Sequence, residues 1–113
     1  MNYILKIIIV SVLFIIIDTP WLLYNKGWFI PMLGNAVETR IWPALIVYPV
    51  MAYLLLEATT VVKAATYGAA AYAIYDFTNM ATLKNYQLSF AVADTIWGGI
   101  LFGAVKYLTQ YIF

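Results

Sequence analysis

Three aspartates carry the chemical interest of this chain. Asp18, Asp76 and Asp94 each lie inside a strongly apolar stretch. An ionisable group within a membrane-crossing helix costs about 2.5–3.5 kcal/mol by insertion scales, so it is expected to face the protein interior or a water-filled cavity. A carboxyl group in that position can exchange a proton for a cation, or accept hydrogen bonds that lock neighbouring helices together. Three of them could also supply oxygen ligands to a hard divalent cation. Other chemistries are closed off. The chain has no Cys and no His, which removes disulfides, thiolate nucleophiles, zinc thiolates, His-ligated metals or haem, and His general bases. No nucleophile with an evident base remains, so no catalytic residue is assigned. No cofactor is implied, and whether a metal binds is left open.

The segments that must position these acids are set by composition. Of the 113 residues, 65% are hydrophobic, 18% aromatic and only 10% charged. So few charges do not cover a globular surface in water. The six cations, Lys6, Lys26, Arg40, Lys63, Lys84 and Lys106, are spaced singly and the net charge is +1, which excludes a nucleic-acid footprint. A helical span needs about 20 mainly apolar residues. Four segments qualify, at about 3–24, 41–62, 64–83 and 88–112, and together they make one transmembrane domain over 1–113. The expected fold class is all-α, an integral-membrane four-helix bundle whose partner is the lipid bilayer. Residues 25–40, with Gly27, Trp28, Phe29, Pro31 and Gly34, read as an interfacial loop or short surface helix. Short links at Lys63 and at 84–87 make sequential helices antiparallel neighbours. The apolar run from Ile7 to Ile17 resembles a signal peptide, but no small-residue cleavage site follows, so a retained helix is expected.

With four spans both termini share one side. Lys6, Lys63 and Lys106 are then on that side, and Lys26, Arg40 and Lys84 on the other. The balance leaves orientation open. Counted from the ends of these spans at 1.5 Å per residue, Asp18, Asp76 and Asp94 each sit roughly 9–10 Å below the same face. Three carboxylates from three helices are thus expected in one layer. Glu57 points to the opposite face and is expected to snorkel and pair with one of the three lysines there. Glu38 falls in the 25–40 connection.

Helical periodicity adds facing. Ala65, Ala69, Tyr72, Asp76 and Asn79 form one stripe, small in its first part and polar in its second. Asp94, Trp97, Gly98 and Leu101 share a face of the fourth segment, and Gly99 to Gly103 is a G-x-x-x-G packing signal. Pro20 removes the amide that would bond the carbonyl of Ile16, beside Asp18, and Pro49 frees that of Leu45. The acids define a candidate proton or cation site of Asp18, Asp76 and Asp94. Its expected polar shell is Tyr72, Tyr75, Thr78, Asn79 and Trp97. The expected packing residues are Ala65, Ala69, Gly98, Gly99 and Gly103.

Three motifs are distinctive: Asp18-Thr19-Pro20-Trp21-Leu22, Tyr75-Asp76-Phe77-Thr78-Asn79-Met80-Ala81-Thr82-Leu83-Lys84 and Asp94-Thr95-Ile96-Trp97-Gly98. On these the chain resembles, over nearly its whole length, an uncharacterised family of small four-span membrane proteins, the domain-of-unknown-function family twenty-one seventy-seven. Pro20 departs from the commoner aliphatic residue at its position. The resemblance implies a four-helix membrane bundle and carries no activity, substrate or cofactor.

Function is therefore read from the acids. Proton- or cation-linked transport requires a hydrated path to them. A structural or accessory subunit of a membrane complex, with the acids as helix locks, requires them dry and fully hydrogen-bonded. A lipid-modifying enzyme requires an opening to the headgroups and a metal between carboxylates. The exposed small-residue stripes suggest a homo-oligomer, with a dimer the expected state. Carboxyl groups separated by more than about 10 Å, the Debye length at 0.1 M salt, and bonded to different partners would leave three independent helix locks.

Overall fold

The computed structural model describes residues 1–34 and 40–113; Glu38 and the rest of 35–39 lie outside the described residues. Of the described residues 85% are helical, in four helices, with no strand among them. They are α1 (Tyr3–Leu33), α2 (Ala44–Glu57), α3 (Val61–Thr82) and α4 (Leu88–Ile112). Local signals set two of the starts. The Asn2 side chain accepts from the amide of Leu5 at 2.8 Å, and Thr60 Oγ1 accepts from that of Lys63 at 3.0 Å. Both satisfy amide donors that a first turn leaves open.

Helix α1 runs on past the expected end of the first segment. Residues 25–33 are helical, not loop, and the helix stops only before Gly34, whose φ of 89° an L side chain rarely adopts. Gly27 and Pro31 are breaking signals, but packing overrides them. Met32 is buried with Tyr86, Phe90 and Ala91, and Phe29 and Leu33 pack against that cluster. Helix α2 is shorter than the 41–62 segment, at 14 residues or roughly 21 Å. Its chain turns extended at Ala58, and α3, capped by Thr60, begins at Val61, three residues before the expected start. Two helices, α1 and α4, are long and apolar enough to cross a membrane. The long axis of 45 Å matches the roughly 40–45 Å of a bilayer with its headgroup regions.

Neighbouring helices are antiparallel, as their cross-contacts show. Along α1 and α4, Lys6 lies over the Phe113 ring, Phe14 against Phe102, Trp21 beside Asp94 and Trp28 beside Gln87. The first of these contacts brings both termini to one end. A dry core fills that half: Val10, Phe14, Ala52, Leu55, Ala64, Leu101, Phe102 and Val105 are all fully buried. The Met32–Tyr86–Phe90 cluster closes the other half. Glu57 is exposed at the end of α2 and, among the described residues, forms no ion pair with Lys6, Lys63 or Lys106. Its charge is felt by the Tyr3 hydroxyl. An acid at a helix end reaches solvent directly, so pairing gains little.

The most extensive interface joins α3 and α4. Its point of closest approach is Gly68 against Gly98, where a Cβ on Gly98 would lie 2.6 Å from the Gly68 carbonyl and 2.5 Å from Tyr72 Cγ. The α4-facing row is therefore Gly68, Tyr72, Asp76 and Asn79, and Gly68, which the expected stripe of Ala65 and Ala69 did not include, makes the closest approach. Ala65 and Ala69 flank it and meet Gly99 and Gly103, where an added Cβ would find ordinary contacts of 3.4–3.5 Å. The two small-residue stripes thus meet each other within one chain. They floor a shallow open groove of about 610 Å³ together with Val62, Ile96 and Ile100.

These distances separate two classes of glycine. Gly68→Ala and Gly98→Ala are expected to lower stability by about 1–3 kcal/mol, because backbone atoms must move apart. Gly99→Ala and Gly103→Ala should stay within about 0.5 kcal/mol. Denaturant titration of the four variants in bilayers or detergent, followed by circular dichroism, checks the split.

Candidate intramembrane acid network

The acids lie between the two apolar clusters. Asp18, Asp76 and Asp94 are 4%, 0% and 7% exposed. A buried carboxylate without partners is prohibitively costly, so its neighbours define it.

Asp18 on α1 is fully supplied. Its Oδ1 accepts from Trp97 Nε1 at 2.8 Å and from the Tyr72 hydroxyl at 3.4 Å, and its Oδ2 accepts from the Tyr48 hydroxyl at 2.8 Å. Those donors come from α4, α3 and α2, so one carboxylate touches every other helix. Asp94 on α4 accepts from Trp21 Nε1 at 2.8 Å. The two tryptophans are exchanged. Trp21 stands one turn after Asp18 and bonds Asp94; Trp97 stands one turn after Asp94 and bonds Asp18. Antiparallel helices make this reciprocity possible, because one turn onward on α1 is one turn backward on α4. The indoles stack between the two bonds, with centroids 5.0 Å apart and planes 9° from parallel.

Asp76 on α3 is supplied on one side only. Its Oδ1 accepts from the Tyr86 hydroxyl at 2.5 Å, while Oδ2 is buried with no fixed donor. The neighbour within hydrogen-bonding reach is the Asp94 carboxyl. Two carboxylates are both acceptors, so the pair becomes a hydrogen bond when one of them carries a proton. Tyr86 lies outside the helices, in the α3–α4 connection. Burial, then its bond to Asp76, push its hydroxyl well above the ordinary tyrosine range, so it remains a donor.

The structure therefore connects the three acids, but not in one layer. The Trp21–Asp94 and Asp18–Trp97 bonds put Asp18 level with Trp97, three residues or roughly 4.5 Å deeper than Asp94. Counting depth from position 24 placed Asp18 too high, because α1 continues to Leu33. Asp76 and Asp94 form the adjoining pair, and Asp18 feels the charge of Asp94 beside it. No group of three acidic side chains among the described residues is arranged to hold a metal ion.

In the expected shell, Tyr72 and Trp97 contact Asp18 directly, and Asn79 lies beside Tyr75 and Tyr86. Thr78 stands apart. It is exposed, roughly 200° around α3 from Asp76, and makes no bond to the acids. Trp21, Tyr48 and Tyr86 are additional. A signal for Trp21 was available, since Asp-Thr-x-Trp occurs at both 18–21 and 94–97. Tyr48 and Tyr86 carried no local signal: one is a mid-helix tyrosine and the other sits in a turn.

The family DUF2177, described as a predicted membrane protein, matches residues 3–111. The chain belongs to this family. The match spans all four helices and every member of the acid network. No curated protein and no solved structure matches the chain. This DUF2177 protein is an integral membrane protein, and side chains from all four helices meet in its acid network.

The exchanged tryptophans should behave as one unit. Trp21→Phe and Trp97→Phe each leave a buried carboxylate short of a donor, at a cost of about 1–3 kcal/mol. The indoles also contact each other, so the double variant should deviate from additivity by about 0.5–3 kcal/mol. A double-mutant cycle from unfolding curves in lipid measures both quantities.

Proposed function

We propose that this DUF2177 protein is a proton-linked membrane transport protein in which the Asp76–Asp94 pair holds the exchangeable proton. The observation that carries the reading is Asp76 Oδ2, a fully buried carboxyl oxygen that lacks any fixed donor and faces a second carboxyl. An acid kept only to lock helices would have both oxygens supplied, as Asp18 does. Asp76 instead keeps a position that one proton, or a displacing monovalent cation, fills. Asp18 and the stacked indoles act as the fixed frame, holding α1 and α4 in register while the proton moves.

A second reading is favoured by Asp18 itself. Three donors from three helices make it a helix lock, and a protein built only of such locks would serve as a structural or accessory subunit of a membrane complex. The α3–α4 groove offers that subunit, or a second copy of the chain, a surface of small residues to pack on.

The two readings part in reconstituted liposomes. With proton transport, the wild type relaxes an imposed pH gradient faster than empty vesicles, and Asp76→Asn returns the rate to that of empty vesicles while leaving the fold intact. With a purely structural role, wild type and Asp76→Asn both match empty vesicles. A fluorescent pH indicator trapped inside the vesicles reads the difference.

A further inference from the structure

The Asp76–Asp94 pair is sealed unequally. Towards the termini, the stacked Trp21 and Trp97 indoles and the Asp18 bonds cover it, and below them lies the fully buried Phe14–Phe102 core. Val10, Leu55, Leu101 and Val105 there are all at 0% exposure, and the buried hydroxyls of Ser11 and Thr109 on that side are spent on the Ile7 and Lys106 carbonyls of their own helices. Towards the α3–α4 turn the Met32–Phe90 cluster closes the bundle, and within it Tyr86 carries a polar group directly onto the pair. Tyr86 puts its hydroxyl on Asp76 Oδ1, and Asn79 lies beside both Tyr86 and the half-exposed Tyr75. The residues on either side of Tyr86, Asn85 and Gln87, line a recess of about 470 Å³ with Gly27, Trp28, Pro31 and Met32. The titratable groups around the pair are Asp18 from α1, Tyr48 from α2, Tyr72 and Tyr75 from α3, and Tyr86 from the turn.

We infer that in this conformation the pair exchanges its proton from the α3–α4-turn side, with Tyr86 as the relay residue. The inference rests on the shared-proton reading above. In the relay, a hydronium ion on the turn side breaks one of its O–H bonds, gives that proton to the Tyr86 hydroxyl oxygen and leaves as water, while the hydroxyl passes its own proton to Asp76 Oδ1. One O–H bond forms on the tyrosine oxygen, one breaks there, and one forms on the carboxylate. The tyrosine ends unchanged and one proton has moved inward. A phenol suits this step because it donates and accepts at one oxygen. Its ring, held by Phe90 at 5.9 Å, keeps the hydroxyl on Asp76.

Two measurements on the full chain in lipid test this. In the infrared, the protonated carboxyl gives a C=O band that shifts when the proton exchanges for deuterium, and Asp76→Asn removes its source. Tyr86→Phe keeps the ring and its packing and removes only the hydroxyl. Exchange in that variant should slow on the order of a hundredfold, the low end of what a positioned proton-transfer group contributes. Exchange at the wild-type rate overturns the inference alone. Absence of the band in the wild type removes the shared-proton reading and the inference with it. The second measurement uses the lack of native cysteine. Asn79→Cys on the open side should react with a water-soluble maleimide, and Ser11→Cys on the sealed side should not. Any other labelling pattern overturns one-sided access.

Discussion

A carboxylate removed from water must find hydrogen-bond donors within the protein, and in an apolar bundle only other helices can bring them. That constraint organises this molecule. Asp18 draws one donor each from α2, α3 and α4, so its satisfaction depends on all four helices standing in register. Between helices the bilayer gives no hydrophobic driving force, since lipid tails are as apolar as the side chains. Close backbone contact and buried hydrogen bonds must supply the specificity. The Gly68–Gly98 contact supplies the first, and the acid network the second.

The exchange of tryptophans between Asp18 and Asp94 has a geometric reason. An indole is a donor only, and from one turn away its reach fits the facing helix better than its own backbone. On antiparallel helices, two identical Asp-Thr-x-Trp steps then complete each other, and the rings fill the space between the two bonds. The arrangement fixes both the sliding and the rotation of α1 against α4. Asp76 is not part of this exchange. Its donor comes from a turn, and its second oxygen faces another acid. Rigid frame and exchangeable position are therefore held by different residues, which lets one proton come and go without loosening the bundle.

The ends of the bundle are closed by different means. The half containing the termini is closed by apolar packing around Phe14 and Phe102. The other half is closed by the extension of α1 over the α3–α4 turn, where Trp28 donates to Gln87 at 2.8 Å and its ring meets Phe90 edge-on at 5.0 Å. The second closure mixes aromatic rings with amides, the composition of a membrane–water interface.

Much of this was legible in the residues themselves. Apolar content and segment length determined an all-helical membrane protein, and the cost of intramembrane charge singled out Asp18, Asp76 and Asp94. Glycine and alanine spacing marked the α3–α4 seam, because small residues are what close approach requires. Tertiary structure decided the rest. Whether α1 stopped near position 24 or ran to Leu33 depended on Met32 and Phe29 finding Phe90, a contact some sixty residues away in the chain that overrides Gly27 and Pro31. That same extension set the depth of Asp18 relative to Asp94. Gly68 became the crossing point, and Thr78 fell outside the network, through helix rotation, which periodicity constrains only loosely along so uniformly apolar a surface. Tyr48 and Tyr86 joined the acids because only the folded chain brings α2 and a turn to them. Hydrogen bonding is directional and short-ranged, so the partner of a buried acid is a property of the assembled fold and not of its neighbours in sequence.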